Sequence, residues 1–483
     1  MSFRKSPRRH HAALFFGFVI FGALLFRLLD SQQRTFWNVD QSLMLWQIKS
    51  LVIDQKISLI GLHFFSLLHG PVYRTPFANW ILSIPTSVFG LKVSVLIATF
   101  SIIAIASMVM VAQTSKKLGG RLTWQIALLL YAFSWFISQE EMRLWYAALM
   151  IPLSSLVAWW LFTKPSKSYV VNGLVLGLIL GMGFSLHFVI LWLIAGVLVY
   201  WALADHQGLL KKISGLLLGL LLMLSPLIVF NLRHNFIMKQ GIFNMLTGKA
   251  VEDQATVAQR FGIVRVEVPC VISMVINGEC SPYWQAAFVI ASILVAIFSK
   301  KTETRKFLLY TWINITIAAL GLFYAGRLSY SSRHYILYLA PMVVVIVSLA
   351  LSEIFHSRIW IIGLAMIAMI LYGNLQEYQN FKDSSSYFFK RALAEYVYTL
   401  SSREKIGIMF YDQHTLAYDF LFYEAAKDLG VPYEKVNLIE RWGSDKPDGY
   451  VFLNEEPNAS GKLLRFGNSK LLLTKEFLGK NTL

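Results

Sequence analysis

Asp40, Glu140, Glu141, Arg143, His187, Arg327, Arg333 and His334 share one property: each lies at or near the end of a long apolar run, and counting runs puts them all on one side. A carboxylate at such a rim can take a proton from a hydroxyl, and an arginine can hold a phosphate through paired N–H donors. Helical spacing sets Glu140 and Arg143 on one face, where they could also simply pair with each other. His187 stands alone between two apolar runs, placed equally well for a local hydrogen bond or for a ligand. The runs themselves are nearly free of charge, which argues against an ion-coupled path through a bilayer, because such paths need ionisable groups inside it.

The elements that must position these residues are membrane helices. Of the 483 residues, 56% are hydrophobic and only 15% charged, and the apolar ones are gathered into long stretches, which excludes an ordinary soluble domain. A hydrocarbon core of about 30 Å needs roughly 20 apolar residues in a helix, and stretches such as 93–113 and 214–230 fit that requirement. In order, the runs give about eleven spans, near 12–29, 93–113, 122–138, 145–163, 169–186, 188–204, 213–231, 285–299, 306–324, 335–354 and 358–373. The fold class expected is an all-α polytopic membrane protein carrying a small C-terminal α/β unit.

The net charge of +17 would suit a nucleic-acid partner only if the cations were clustered, and here they are scattered among short loops at 4–9, 116–121, 164–167, 211–212, 300–306 and 356–358. The positive-inside rule reads these loops as cytoplasmic, putting the N-terminus inside and the C-terminus outside a multi-pass cell-membrane protein. The basic start before the first run resembles a secretory signal, but the run is long and no small-residue cleavage site follows, so an uncleaved span is expected. Two long outer loops follow from this order, 30–92 and 232–284. Within the first, 41–53 and the segment ending in Trp80-Ile81-Leu82 read as amphipathic helices lying in the interface. Cys270 and Cys280 fall in the second, where an oxidising environment favours a disulfide, although free thiols also suit the spacing. The division expected is a membrane domain over 1–375 and a soluble extracytoplasmic α/β domain over 376–483, with strands at 405–411 and 450–453 and a helix at 415–429.

Four segments carry a resemblance to a known family. Trp37-Asn38-Val39-Asp40 is similar to an acidic first-loop motif, His69-Gly70-Pro71-Val72-Tyr73 followed by Phe89-Gly90 to a His-Pro-Pro-Leu-Tyr segment, and Glu140-Glu141-Met142-Arg143-Leu144-Trp145-Tyr146 to a second-loop motif. The span ending Ser225-Pro226 through Asn231-Leu232-Arg233-His234-Asn235 is the fourth. Together, in this order, they resemble the GT-C membrane glycosyltransferases, the broad group of the protein O-mannosyltransferases and the lipid A aminoarabinose transferase. The chain departs from the pattern where Gln41 follows Asp40 in place of a second carboxylate, and where Gly70 replaces the first proline.

The resemblance implies inverting transfer of a sugar from a polyprenyl-phosphate donor to an acceptor on the outer face. Asp40 would then be the general base and Arg143 and Arg333 the ligands of the donor phosphate. Glu140, Glu141, His69 and His187 would touch substrate. A divalent ion bridging carboxylates and phosphate suits the charge requirement, although no His, Cys or Asp spacing specifies one. Acceptor identity stays open among protein, lipid and glycan. Two other classes share parts of this pattern: a transporter or flippase of lipid-linked sugars, and a non-catalytic assembly protein whose tail binds a partner.

Overall fold

The computed structural model describes residues 7–62, 71–166, 168–246, 256–325, 333–381, 386–399, 406–410, 415–433, 436–440, 450–453, 461–466 and 469–474. His69 and Arg327 lie outside the described residues. The first half of the chain folds into α1 (Pro7–Leu28), α2 (Ser31–Arg34), α3 (Val39–Val52), α4 (Phe77–Phe89), α5 (Val93–Gly119), α6 (Arg121–Phe133), α7 (Trp135–Glu141), α8 (Met150–Thr163), α9 (Tyr169–Met182), α10 (Ile190–Ala204) and α11 (Leu209–Arg233). There follow α12 (Lys239–Leu246), α13 (Val257–Asn277), α14 (Pro282–Phe298), α15 (Thr302–Ala325), α16 (Ala340–His356), α17 (Trp360–Asn380), α18 (Tyr387–Thr399) and α19 (Thr415–Leu429).

Among the described residues, seven helical segments are long and apolar enough to cross a membrane, or eight if α13 and α14, bent by 85°, count as one broken span. Four expected spans do not become long straight helices. Those at 169–186 and 188–204 are the shorter apolar α9 and α10, and that at 285–299 is half of the bent pair. The fourth, 122–138, breaks at Ser134, whose backbone is extended. There the Ser134 hydroxyl donates to the Val275 carbonyl at 2.9 Å and accepts from Ile137 N, while Trp135 N is taken by Asn374 Oδ1 at 2.7 Å. Backbone groups freed by a break in an apolar setting must find such substitutes, and hydropathy cannot register them. The stretch 232–284, expected as a loop, contains α13, which is buried from Val268 onward and is joined to the turn before α14 by the Cys270–Cys280 disulfide.

Packing between helices follows from small residues and from a few buried charges. A Cβ at Gly173 would collide with the Lys212 carbonyl, so α9 and α11 approach to backbone contact only because that position is glycine. On α1, Arg27 is fully buried and donates through Nε and Nη2 to Glu141 Oε2 at 3.0 and 2.8 Å, and through Nη1 to the Ala132 carbonyl at 3.0 Å. Tyr131 donates to Glu141 Oε1 at 2.7 Å, and its oxygen meets Ser107 Oγ at 2.6 Å, which in turn meets Ser155 Oγ at 2.7 Å. One buried carboxylate thus ties α1, α5, α6, α7 and α8 together.

Beyond α17, which continues past 375 to Asn380, the chain forms a five-stranded sheet of order β2-β1-β3-β5-β4. Its strands are β1 (Ile406–Phe410), β2 (Val436–Glu440), β3 (Tyr450–Leu453), β4 (Gly461–Phe466) and β5 (Ser469–Thr474). The strands β2, β1 and β3 run parallel, α19 bridges β1 and β2 in sequence, and β5 pairs antiparallel with both β3 and β4. The helix α19 packs on α3, so α3 is not a free interfacial helix: its Met44, Leu45 and Ile48 are fully buried.

The Arg27–Glu141 pair generates a test. Removing one partner of a buried ion pair strands the other, at about 3–5 kcal/mol. Arg27→Met is expected to lower unfolding stability in mixed micelles by about that much, with Arg27→Met/Glu141→Leu losing less because no charge is left alone. A single-variant loss below about 1 kcal/mol would show that the pair is solvated or dispensable.

Candidate active site

Asp40 sits in the first turn of α3, exposed. The helix is capped by Asn38, not by Asp40: Asn38 N donates to Gln41 Oε1 at 2.9 Å, a reciprocal cap that leaves the Asp40 carboxylate unused by the helix. Gln41, where the family pattern has a second carboxylate, reaches across with its amide Nε2 to the Arg143 carbonyl at 2.6 Å. The substitution therefore fastens the start of α3 to the turn after α7.

That turn is strained. Leu144 is buried with φ of 49°, in the left-handed region, which costs a non-glycine residue roughly 1–2 kcal/mol. The strain turns the chain between Arg143 and Trp145, both half-buried, while Tyr146 begins the short 3₁₀ turn Tyr146–Leu149. Arg143 Nη1 lies 3.3 Å from Glu140 Oε1 and its guanidinium 5.7 Å from the Trp145 ring. Within this stretch Glu140 Oε2, Arg143 Nε and Trp145 Nε1 are buried polar atoms with no hydrogen-bond partner among the described residues. Such groups are uncommon in cores and mark strain or a ligand site.

Arg74, not singled out in the sequence, belongs to the same cluster. Its guanidinium lies 5.1 Å from the Tyr146 ring and within electrostatic reach of Asp40, while burial acts against its charge and holds its pKa below the ordinary arginine value. Its backbone is fixed by Arg74 N to the Leu62 carbonyl at 2.8 Å and Gly61 N to the Arg74 carbonyl at 2.7 Å. A Cβ at Gly61 would stand 2.9 Å from the Thr75 carbonyl, so the approach requires glycine there. Tyr146 donates to Asn79 Oδ1, and the Asn79 amide donates to Gln47 Oε1, linking α3, α4 and the 3₁₀ turn.

From the far side come His187, Arg333 and His334. His187 is buried, its Nδ1 accepts from Val189 N, and its ring lies 5.6 Å from that of His334, which is 5.4 Å from Trp145. Burial, then the charges of His334 and Arg74, push the His187 imidazole well below its ordinary pKa, so it is neutral at pH 7. Arg333 donates to Glu267 Oε2 at 3.0 Å and still acts on Glu140. Burial raises the Glu140 carboxyl above its ordinary value, opposed by Arg143 and then Arg333.

Asp40, Glu140, Arg143, His187 and Arg333 are therefore brought into one cluster, joined by Arg74 and Tyr146. Glu141 is not. Its two oxygens are taken by Arg27 and Tyr131 inside the bundle, and burial is the largest influence on it, raising its pKa against both partners. Neighbouring residues on α7 differ by about 100° around the helix, so Glu141 turns into the bundle while Glu140 stays with the cluster. Arg74 carried a legible signal, being a lone cation directly after the His69–Tyr73 segment, but it lies mid-loop instead of at the end of a span. Among the described residues no three His, Cys, Asp or Glu side chains converge as a cation site.

A cavity of about 250 Å³ is lined wholly by apolar side chains, among them Ala78, Leu82, Leu149, Leu153 and Leu186. Two of these lining residues, Ala78 and Leu186, are the chain neighbours of Asn79 and His187.

This arrangement can be set beside known proteins. Over 96% of its length the chain superposes on the crystal structure of ArnT from Cupriavidus metallidurans bound to undecaprenyl phosphate, with TM-score 0.60, 10% identity and 98% of that chain covered. The apo ArnT structure gives 0.62 over 97% of this chain and 98% of that one, also at 10% identity. The chain has the GT-C fold. A second GT-C structure, the archaeal oligosaccharyltransferase AglB from Archaeoglobus fulgidus in complex with an inhibitory peptide and a dolichol-phosphate, matches with TM-score 0.52 at 12% identity, over 86% of this chain and 64% of that one. In sequence, residues 73–230 match the family described as dolichyl-phosphate-mannose-protein mannosyltransferase, a segment of the GT-C fold that includes Arg74, Glu140, Arg143 and His187. No curated protein matches the chain in sequence.

The raised pKa of Glu140 makes its charge a cost of folding. A carboxyl whose folded pKa lies above its unfolded value gives stability that is complete below the ordinary 4.5 and is lost as pH rises through the folded pKa. Glu140→Gln is therefore expected to melt higher than the parent at pH 7 to 8, by roughly 2 °C or more, with the difference closing towards pH 4.5. Scanning fluorimetry in detergent across this range measures it, and a variant melting lower at every pH would mean that the Arg143 contact outweighs burial.

Proposed function

We propose that the protein is an inverting glycosyltransferase that moves a sugar from a polyprenyl-phosphate donor to an acceptor hydroxyl on the extracytoplasmic face of the membrane. The observation that carries the reading is the clustering of Arg74, Arg143 and Glu140, beside residues Asn79 and His187 whose chain neighbours Ala78 and Leu186 line an apolar cavity; a lipid chain along Leu82 and Leu153 with its phosphate at Arg74 and Arg143 would use both. Those guanidiniums carry N–H donors of the kind that hold a phosphate, and Arg143 Nε and Glu140 Oε2, without a partner among the described residues, can meet a phosphate ester and a sugar hydroxyl. ArnT holding undecaprenyl phosphate and AglB holding dolichol-phosphate are precedents on the same fold.

In the reaction, the acceptor oxygen attacks the anomeric carbon, the bond from that carbon to the phosphate oxygen breaks, and the electron pair leaves with the phosphate. Asp40, exposed at the rim and not committed to capping its helix, accepts the acceptor's proton. Arg74 and Arg143 stabilise the charge growing on the leaving phosphate, a task suited to fixed cations at a low-dielectric boundary. Arg333 is a more distant contributor, since it is engaged with Glu267, and neutral His187 can donate to a sugar hydroxyl without adding charge. Basic loops on the opposite side of the bundle favour the outer face for this end.

Asp40→Asn is expected to lower transfer from a polyprenyl-phosphate-linked sugar at least about a hundredfold, while binding of polyprenyl phosphate is kept. Radiolabelled sugar transfer in proteoliposomes and lipid binding by native mass spectrometry read the two quantities. Full transfer by the variant would remove the base, and movement of labelled donor across the membrane without transfer by the parent would identify a flippase.

A further inference from the structure

The segment on either side of Asp40 is held from outside the membrane bundle. Tyr387 N donates to the Thr35 carbonyl at 2.9 Å, and Phe36 forms an isolated antiparallel bridge with Ser386. Lys390 Nζ donates to the Trp37 carbonyl at 2.7 Å, and the Trp37 indole, fully buried, donates to the Ala417 carbonyl at 2.7 Å. Past Asp40, Phe420 N donates to Ser42 Oγ at 3.3 Å, and Trp46 meets the rings of Phe420 and Tyr423. These partners all lie on α18, on α19 or on the approach to α18. The two helices are themselves anchored to the membrane part: Glu424 accepts from Val93 N, at the start of α5, at 3.4 Å, and from the Tyr387 hydroxyl at 2.7 Å, with Arg391 Nε 3.5 Å away.

From these contacts we infer that α18 and α19 are the positioning scaffold of Asp40, with Lys390 and Trp37 as positioning residues that fix the first turn of α3 against the turn carrying Arg143. The inference rests on the reading of Asp40 as the base. Its physical ground is that an exposed carboxylate on a short helix gains a fixed place only from what packs on the buried part of that helix, and here that is the C-terminal pair of helices as much as the membrane bundle. Gln41 supplies the complementary tie to Arg143 from the other side. A base displaced by about 1 Å loses up to a hundredfold in rate although nothing that touches substrate has changed.

Lys390→Met, which removes a donor to this segment while keeping bulk, and Trp37→Phe, which removes the indole donor while keeping an aromatic ring, separate positioning from mere stability. In proteoliposomes each is expected to lower kcat about tenfold with KM for the lipid-linked donor changed less than about twofold, and to add no further loss to Asp40→Asn. Lys390→Arg, which keeps the cationic donor, is expected to restore kcat. Independently of any chemistry, hydrogen exchange of the nanodisc-embedded full chain is expected to rise in residues 39–45 of the two variants and to stay unchanged in α5 and α16. Losses that add to Asp40→Asn, a rise in KM alone, or exchange in 39–45 equal to the parent would overturn the scaffold. If the parent transfers no sugar but exchange rises as described, the scaffold stands and the proposed function falls.

Discussion

Water ends at the rim of a helical bundle, and the side chains there must be either solvated or paired, because hydrocarbon a few ångströms deeper offers nothing. The turn from Glu140 to Tyr146 depends on this constraint. From within, the buried Arg27–Glu141 pair fixes the end of α7; from outside, Gln41 takes the Arg143 carbonyl. Just past the second anchor the backbone at Leu144 takes the left-handed region, and around the anchored stretch Glu140, Arg143 and Trp145 keep buried polar atoms with no hydrogen-bond partner among the described residues. Strain and unmet hydrogen bonds persist only where the surroundings over-determine them, which is how a site is preorganised.

Two adjacent glutamates show how burial alone does not define a role. Both are raised in pKa chiefly by desolvation, but Glu141 has two close partners inside the bundle while Glu140 has one longer contact to a half-buried arginine. The first is a strut; the second faces the cluster with Arg74, Arg143 and Arg333. Under the proposed function, an apolar cavity, arginines and an exposed carboxylate would receive the lipid, phosphate and acceptor of a lipid-phosphate-sugar in turn.

Much of this was legible in the sequence because hydrophobicity sets long helices and because charges at the ends of successive spans fall on alternate sides. Asp40, Glu140, Arg143, His187 and Arg333 were singled out by that rule, and the fold gathers them into one cluster. What the rule could not read depends on single side chains substituting for backbone partners. Ser134 and Asn374 break a span without changing its hydropathy, and the polar first half of α13, with Arg260, Arg265 and Glu267, concealed a helix inside an apparent loop. Arg74 escaped because its place is set by Gly61 and Leu62 pairing with its backbone, a contact between loop segments with no periodicity to announce it. The dependence of α3 on α19 links residues more than 370 positions apart, and no local pattern encodes it.

Polyprenyl phosphate is predicted to bind with its chain in the apolar cavity and its phosphate at the arginine cluster. Cryo-electron microscopy of the protein in nanodiscs with polyprenyl phosphate tests it directly. The phosphate is predicted within about 3 Å of Arg74 or Arg143, with the chain running past Leu82 and Leu153. Density for the phosphate elsewhere, for example beside the second apolar cavity between α14 and α16, would contradict the account.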